Sequence, residues 1–235
     1  MNELNLANSK VAIRPQVARV RSVKRTAQVL SVLFLSWLAL IFLARDPLHY
    51  LIDPNPESFG RYWSNRAWLL PHIIGGLIAV VVGPFQFSTR VRRRFPVVHR
   101  WSGRFYVGGI LLASTSAFYL AFFAEEASFG IALFALAATW LFVTARALTE
   151  IRRRQISIHR RWMIRSYIIT FAFVTFRWLG ILPIWGPFGV YRKAAATWVA
   201  WVIPLAVVEL ICWRAGRPTT ETAEQGVPSA EWRRP

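Results

Sequence analysis

Along the chain, apolar residues gather into six long runs separated by short polar stretches: 27–44, 67–87, 105–124, 129–148, 162–182 and 195–213. Each run has about 18 residues or more, the length a helix rising ~1.5 Å per residue needs to cross a bilayer core. The pattern predicts an all-α fold: a polytopic membrane helix bundle of six transmembrane helices, with a four-helix core from spans two to five. It also sets the organisation. A basic segment occupies 1–26, the six-span membrane domain 27–213 with its core at 67–182, and a polar tail 214–235. The first run follows basic residues, as a signal peptide does. It is longer than the ~7–15 apolar residues of a secretory signal and no small-x-small cleavage site follows, so it is read as an uncleaved span.

Composition and charge sharpen this reading. The 235 residues are 55% hydrophobic and only 17% charged, against ~25% charged in an ordinary soluble domain. That deficit, with twelve Trp, excludes a disordered chain and argues against a soluble enzyme. The net charge is nevertheless +18. Such basicity points to nucleic acid only where the bases share one soluble surface; here they cluster between apolar runs, and no nucleic-acid partner is expected. Six Lys or Arg precede span one, six lie in 88–104, seven in 146–165 and four after span six, which makes 23 of the 29. On the other side Arg45, Arg61, Arg66, Arg192 and Lys193 are balanced by Asp46, Asp53, Glu57, Glu125 and Glu126. The positive-inside rule then puts both termini and the basic loops in the cytoplasm, with the bundle in the bacterial inner membrane. Only three of the 29 bases are Lys. Arg forks grip phosphate bidentately, so the inner face is expected to meet anionic lipid head groups, although a biased genome composition gives the same count. The single cysteine, Cys212, excludes an intramolecular disulfide and a multi-thiolate cluster.

The two basic inner loops repeat each other. Arg92-Arg93-Arg94 precedes His99-Arg100 as Arg152-Arg153-Arg154 precedes His159-Arg160, at a constant offset of 60 residues. A duplicated two-helix unit leaves such a trace, and parallel repeats of spans are a known architecture; chance basic runs in two inner loops are also common, but the shared register of the histidines favours duplication. The repeat is incomplete, because His72 in span two maps onto Ala132 in span four.

Few residues carry candidate chemistry. In span two, His72, Gly76, Ala79, Gly83 and Gln86 share one helical face. Such a small-residue face admits a neighbouring helix or a flat cofactor. In span five, His159, Met163, Ser166, Thr170, Phe173 and Arg177 form a second stripe. Ionisable groups such as His72 and Arg177 are costly against lipid and are expected to face the bundle interior, within one cavity open to the outer side. His99 and His159, each flanked by Arg, stand just before spans three and five. They fit either as ligands of a metal or haem iron, or as interfacial histidines on a lipid phosphate. Glu209 in span six is a proton-carrying group or the partner of Arg146 or Arg165. No Gly-rich phosphate loop, carboxylate pair or Ser–His–Asp constellation is visible.

One ordered set of motifs stands out: His72-Ile73-Ile74-Gly75-Gly76, Gly83-Pro84-Phe85-Gln86-Phe87, His99-Arg100-Trp101-Ser102-Gly103-Arg104-Phe105-Tyr106, and His159-Arg160-Arg161-Trp162-Met163-Ile164-Arg165-Ser166-Tyr167, closed by Arg177. With it the chain resembles a family of uncharacterised bacterial multi-pass membrane proteins, a domain of unknown function. The likeness covers spans two to five, about half the chain, and implies no activity. A more distant resemblance is to two-haem membrane cytochromes of the b561 kind, which have a four-helix core, histidines at two depths and a His-x-x-x-Gly step like His99 to Gly103. They pair histidines on both sides. Since Ala132 leaves His72 without a span-four partner, the likeness implies at most one bis-histidine haem b, through His99 and His159, with His72 and Arg177 as further cofactor-binding residues; a haem held by His72 alone, or none, stays open, and Gln86, Arg104 and Glu209 complete the candidate site residues. The expectation is a haem-binding transmembrane electron-transfer protein with quinone as a partner. The competing class is a non-enzymatic membrane protein, either a small transporter or a lipid-binding or assembly partner. A metal-dependent hydrolase needs more ligands than four scattered histidines and few acids supply.

Overall fold

A computed structural model describes residues 37–45 and 47–215, and the segments at 1–26 and 216–235 and most of the first expected span lie outside the described residues. Every regular element described is helical. The chain divides into two units, 1–63 and 64–235. In the first, residues 37–45 are helical, followed by α1 (Leu48–Ile52) and α2 (Pro56–Phe59). Asn55 caps α2 by accepting the Ser58 N–H at 2.8 Å. The buried Phe59 ring packs edge-on between Tyr50 and Trp63.

The second unit holds α3 (Arg66–Phe87), α4 (Thr89–Arg94), α5 (Pro96–Phe122), α6 (Ala127–Arg152), α7 (Ile156–Gly180) and α8 (Arg192–Ala215). Among the described residues, four stretches are long and apolar enough to cross a membrane: Pro56–Phe87, Pro96–Phe122, Ala127–Arg152 and Pro183–Trp213. The sequence reading expected six. The fifth expected span, now α7, has the length but not the apolarity, because Arg165 and Arg177 stand among Ser166, Thr170 and Thr175. These hydroxyls point inward: Ser166 and Thr170 are fully buried, and Thr175 is half-buried.

Helices α3, α5, α6 and α7 form an antiparallel ring, each packed on its chain neighbour and α7 closing back on α3; α8 lies against α6 and α7. The tightest crossing joins α3 to α5. A Cβ at Gly75 would lie 2.4 Å from the Gly109 carbonyl oxygen, and one at Gly109 would lie 2.7 Å from the Gly75 oxygen. Only glycine lets the two backbones approach this closely, the small-residue packing expected where lipid supplies no hydrophobic drive. On the small-residue face read from the sequence, Gly83 receives the Tyr167 ring of α7, whereas a Cβ at Gly76 would meet nothing within 4 Å.

Prolines add a second constraint. A helical proline has no N–H and leaves the carbonyl four residues earlier unpaired, which in hydrocarbon must be satisfied from elsewhere. Pro84 frees the Val80 carbonyl, and the Tyr167 hydroxyl contacts that oxygen at 3.3 Å. Pro204 in α8 frees the Ala200 carbonyl, and the Thr175 hydroxyl reaches it at 3.1 Å. Both donors come from α7. Its polarity is the donor supply for the helices on either side.

Two outcomes follow for thermal unfolding of the purified protein. Gly75→Ala should lose about 1–3 kcal/mol through forced separation of the backbones, while Gly108→Ala, with open space around it, should be neutral or gain ~0.5–1 kcal/mol. Tyr167→Phe should cost ~1 kcal/mol by leaving the Val80 carbonyl unpaired. In a Pro84→Ala background, where the restored N–H pairs that carbonyl, the same change should cost measurably less. Equal costs in both backgrounds would show that the hydroxyl does not serve the proline gap.

Candidate functional site

The candidate residues fall at the two ends of the ring, with a closed polar core between them. At the arginine-rich end, His99 and His159 occupy equivalent positions in the first turns of α5 and α7, which start at Pro96 and Ile156. Burial, with the charges of Arg92 and His159 nearby, holds the His99 imidazole below its ordinary pKa. The His159 Nδ1 is 2.8 Å from the Ala147 carbonyl oxygen of α6. A carbonyl only accepts, so Nδ1 carries the proton and Nε2 holds the free lone pair. On His99 the Nδ1 atom is buried and has no hydrogen-bond partner. The His99 backbone is held by a side-chain relay, in which Gln86 Nε2 donates to Ser102 Oγ at 2.7 Å and Ser102 Oγ donates to the His99 carbonyl at 3.1 Å. Gly103 keeps room for the Gln86 amide, since a Cβ there would lie 3.2 Å from Gln86 Oε1.

Around this end the cations are anchored. Arg165 forms a two-pronged ion pair with Glu209 of α8, the NH2 arm at 2.7 Å from Oε2. Arg146, the other candidate partner, instead pairs with the buried Glu150 one turn along α6, at 2.9 Å. The Trp162 ring lies beneath both guanidinium groups, 5.6 Å from that of Arg146 and 4.8 Å from that of Arg165, a cation–π arrangement that fixes the Arg planes. Arg104 is exposed and stacks over the exposed Trp101 at 4.7 Å.

At the opposite end, the His72 Nδ1 lies 2.9 Å from the Ala113 carbonyl oxygen of α5, which again assigns the proton to Nδ1. The ring meets Phe173 of α7 edge-on, with centroids 5.4 Å apart. Arg177 is exposed and stands one turn beyond Phe173 on α7. His72 and the His99–His159 pair are thus separate sites, divided by the core. Nearby, Lys193 of α8 binds Glu125 and approaches Glu126 at 4.0 Å, tying the α5–α6 turn to α8.

The core itself is a buried hydroxyl network joining α5, α6 and α7. Tyr106 Oη lies 2.9 Å from Ser166 Oγ and 3.0 Å from Thr170 Oγ1, Trp140 Nε1 donates to Thr170 Oγ1 at 2.9 Å, and Thr144 Oγ1 is 2.7 Å from Ser166 Oγ. Thr170 and Thr144 also reach the Ser166 and Trp140 carbonyls. Each of these five side chains has one polar hydrogen for the six contacts, so the network holds more than one arrangement of protons. Tyr106 and Ser166 stand 60 residues apart, the offset that also relates His99 to His159. The bonded pair is a repeat-equivalent one.

Sequence reasoning placed Ser166 and Thr170 on a stripe but missed Trp140, Thr144 and Glu150. The available signal was an indole N–H and a hydroxyl one turn apart inside an otherwise apolar run. Among the described residues, no group of three or more His, Cys, Asp or Glu is placed to hold a metal ion. No curated protein and no solved structure matches the chain. The motifs that build both ends and the core, from His72 to Glu209, lie inside a matched family model that spans residues 69–212, and the chain accordingly belongs to the predicted membrane protein family DUF2306, a family of unknown function.

Proposed function

We propose that the chain crosses the bacterial inner membrane six times and binds one haem b between His99 and His159, acting as a transmembrane electron-transfer protein with a quinone as redox partner. The observation that carries this reading is the placement of the two repeat-equivalent histidines in the first turns of α5 and α7, at one end of the ring and near enough for each to feel the other's charge. Two further features fit an iron ligand set. His159 donates Nδ1–H to a backbone carbonyl and keeps Nε2 free, the arrangement that orients most metal-bound imidazoles. His99 has a buried ring nitrogen with no protein partner. Arg92 is the cation in range to neutralise a propionate. Haem would supply a one-electron carrier; the chain supplies ligands, counter-charge and a dry wall, since Tyr106 and Ser166 seal the interior two turns above.

The six-span layout adds α7, enclosed by α3, α6 and α8, and a first span ending in the helical residues 37–45. The Arg-rich end faces the cytoplasm, where the exposed Trp101–Arg104 stack and the basic α4 meet anionic lipid head groups. That surface also fits the second reading, a lipid-binding or assembly partner without redox activity.

Reporter fusions after Arg92 and Arg152 should read as cytoplasmic and those near Glu57 and Glu125 as external; an external signal after Arg92 overturns the orientation. Protein purified after expression with haem supplied should show a reduced-minus-oxidised haem b spectrum. His99→Ala and His159→Ala should each abolish the low-spin signal and His72→Ala should retain it. A colourless wild-type protein removes the haem reading and leaves the lipid-binding one.

A further inference from the structure

The repeat exposes a difference between the halves of the ring. At an offset of 60, His72 and Gly76 of α3 correspond to Ala132 and Leu136 of α6. Ala132 and Leu136 are core residues, with 0% and 3% of their surface exposed. In the first half a histidine replaces the alanine, and the leucine side chain is missing. Gly76 is itself half-buried. It lies on the helical face that carries Ala79, which is fully buried, and Gly83, which is packed against Tyr167; the exposed residues Ile74, Val81 and Phe85 define the opposite face. A Cβ on Gly76 would still meet nothing within 4 Å. A gap is therefore left on the inward face of α3, about one turn from the His72 ring.

The walls of that gap define its chemistry. His72 contacts Phe173 of α7, whose ring lies 5.2 Å from that of the buried Trp140. His72 Nδ1–H is committed to the Ala113 carbonyl. Nε2 of the neutral ring is thus an acceptor, and the hydrogen bond this side chain makes among the described residues is the one at Nδ1. Beside it runs the α3–α7 seam, where the ring closes. We propose that this gap is a binding site for an uncharged, membrane-soluble aromatic alcohol, of the phenol or hydroquinone class, whose hydroxyl donates to His72 Nε2 while its ring packs on Phe173. The fixed tautomer makes the site a reader of O–H donors. An ether or a quinone carbonyl offers only acceptors and leaves Nε2 unpaired, an asymmetry worth about tenfold or more in affinity. The site does not depend on haem at the His99–His159 end.

The test uses the full chain in nanodiscs, with 1-naphthol and 1-methoxynaphthalene as probes and empty nanodiscs as the baseline in equilibrium dialysis. Wild type should hold the naphthol about tenfold more tightly than its methyl ether. His72→Phe should abolish that preference, and Gly76→Leu, which restores the side chain found in the second half, should bring both probes to baseline. A wild-type measurement covers the case in which Gly76→Leu does not fold: naphthol, and not the ether, should shift the His72 Nε2 resonance in ¹⁵N-histidine spectra, the signal being identified by its loss in His72→Phe. Equal retention of the two probes by wild type, an unmoved His72 resonance, or undiminished binding in a folded Gly76→Leu protein each overturns the proposal.

Discussion

Backbone polar groups inside a bilayer have no water to turn to, and two carbonyls freed by proline show how neighbouring helices answer that constraint in this protein. Pro84 and Pro204 each open one hole in a helical ladder, and α7 brings a hydroxyl to both, with Tyr167 near Val80 and Thr175 shared between Ala200 and the Phe171 and Ala172 carbonyls of its own helix. The same helix supplies Ser166 and Thr170 to the buried network and Arg165 to Glu209. A helix that serves as donor to its neighbours cannot itself be uniformly apolar. This accounts for α7 standing at the centre of the packing while falling short of the apolarity of the other long helices. The Gly83-Pro84 pair shows the economy of the solution: the glycine makes room for the Tyr167 ring, and the proline frees the carbonyl near its hydroxyl.

The repeat gives the ring its frame and its departures give it two dissimilar ends. Equivalent residues of α5 and α7 meet across the bundle in the core, as Tyr106 and Ser166 do, and His99 and His159 hold equivalent positions at the arginine-rich end. Along α3 and α6 the equivalence breaks. Gly75 and Gly83 are replaced by Ala135 and Val143, so the backbone crossing at Gly109 and the notch for Tyr167 exist in one half only. The opposite end, with a single histidine and an open position at Gly76, is the consequence.

Charge is managed differently at each level. Arg146 and Arg165 are held by Glu150 and Glu209 and share the face of Trp162, so these two are structural cations. Arg104, stacked over Trp101, is exposed. In the buried network between the two ends, hydroxyls and one indole N–H do the joining.

The sequence by itself determined the membrane class, the helical runs, the clustering of Arg in two loops, the 60-residue repeat and the family motifs. Each of these is written locally, as length, apolarity or spacing. It also isolated His72, His99, His159 and Arg177, because an ionisable residue near an apolar run is conspicuous. Tertiary structure alone decided that Glu209 takes Arg165 while Arg146 turns to Glu150, that Gly83 is filled and Gly76 is not, and that Trp140 and Thr144 complete a network with residues on two other helices. A hydroxyl in an apolar helix can return its proton to its own backbone or send it across to a neighbour. Periodicity shows which face the residue lies on, but only the neighbouring helix, set at a particular depth and rotation, supplies the second oxygen.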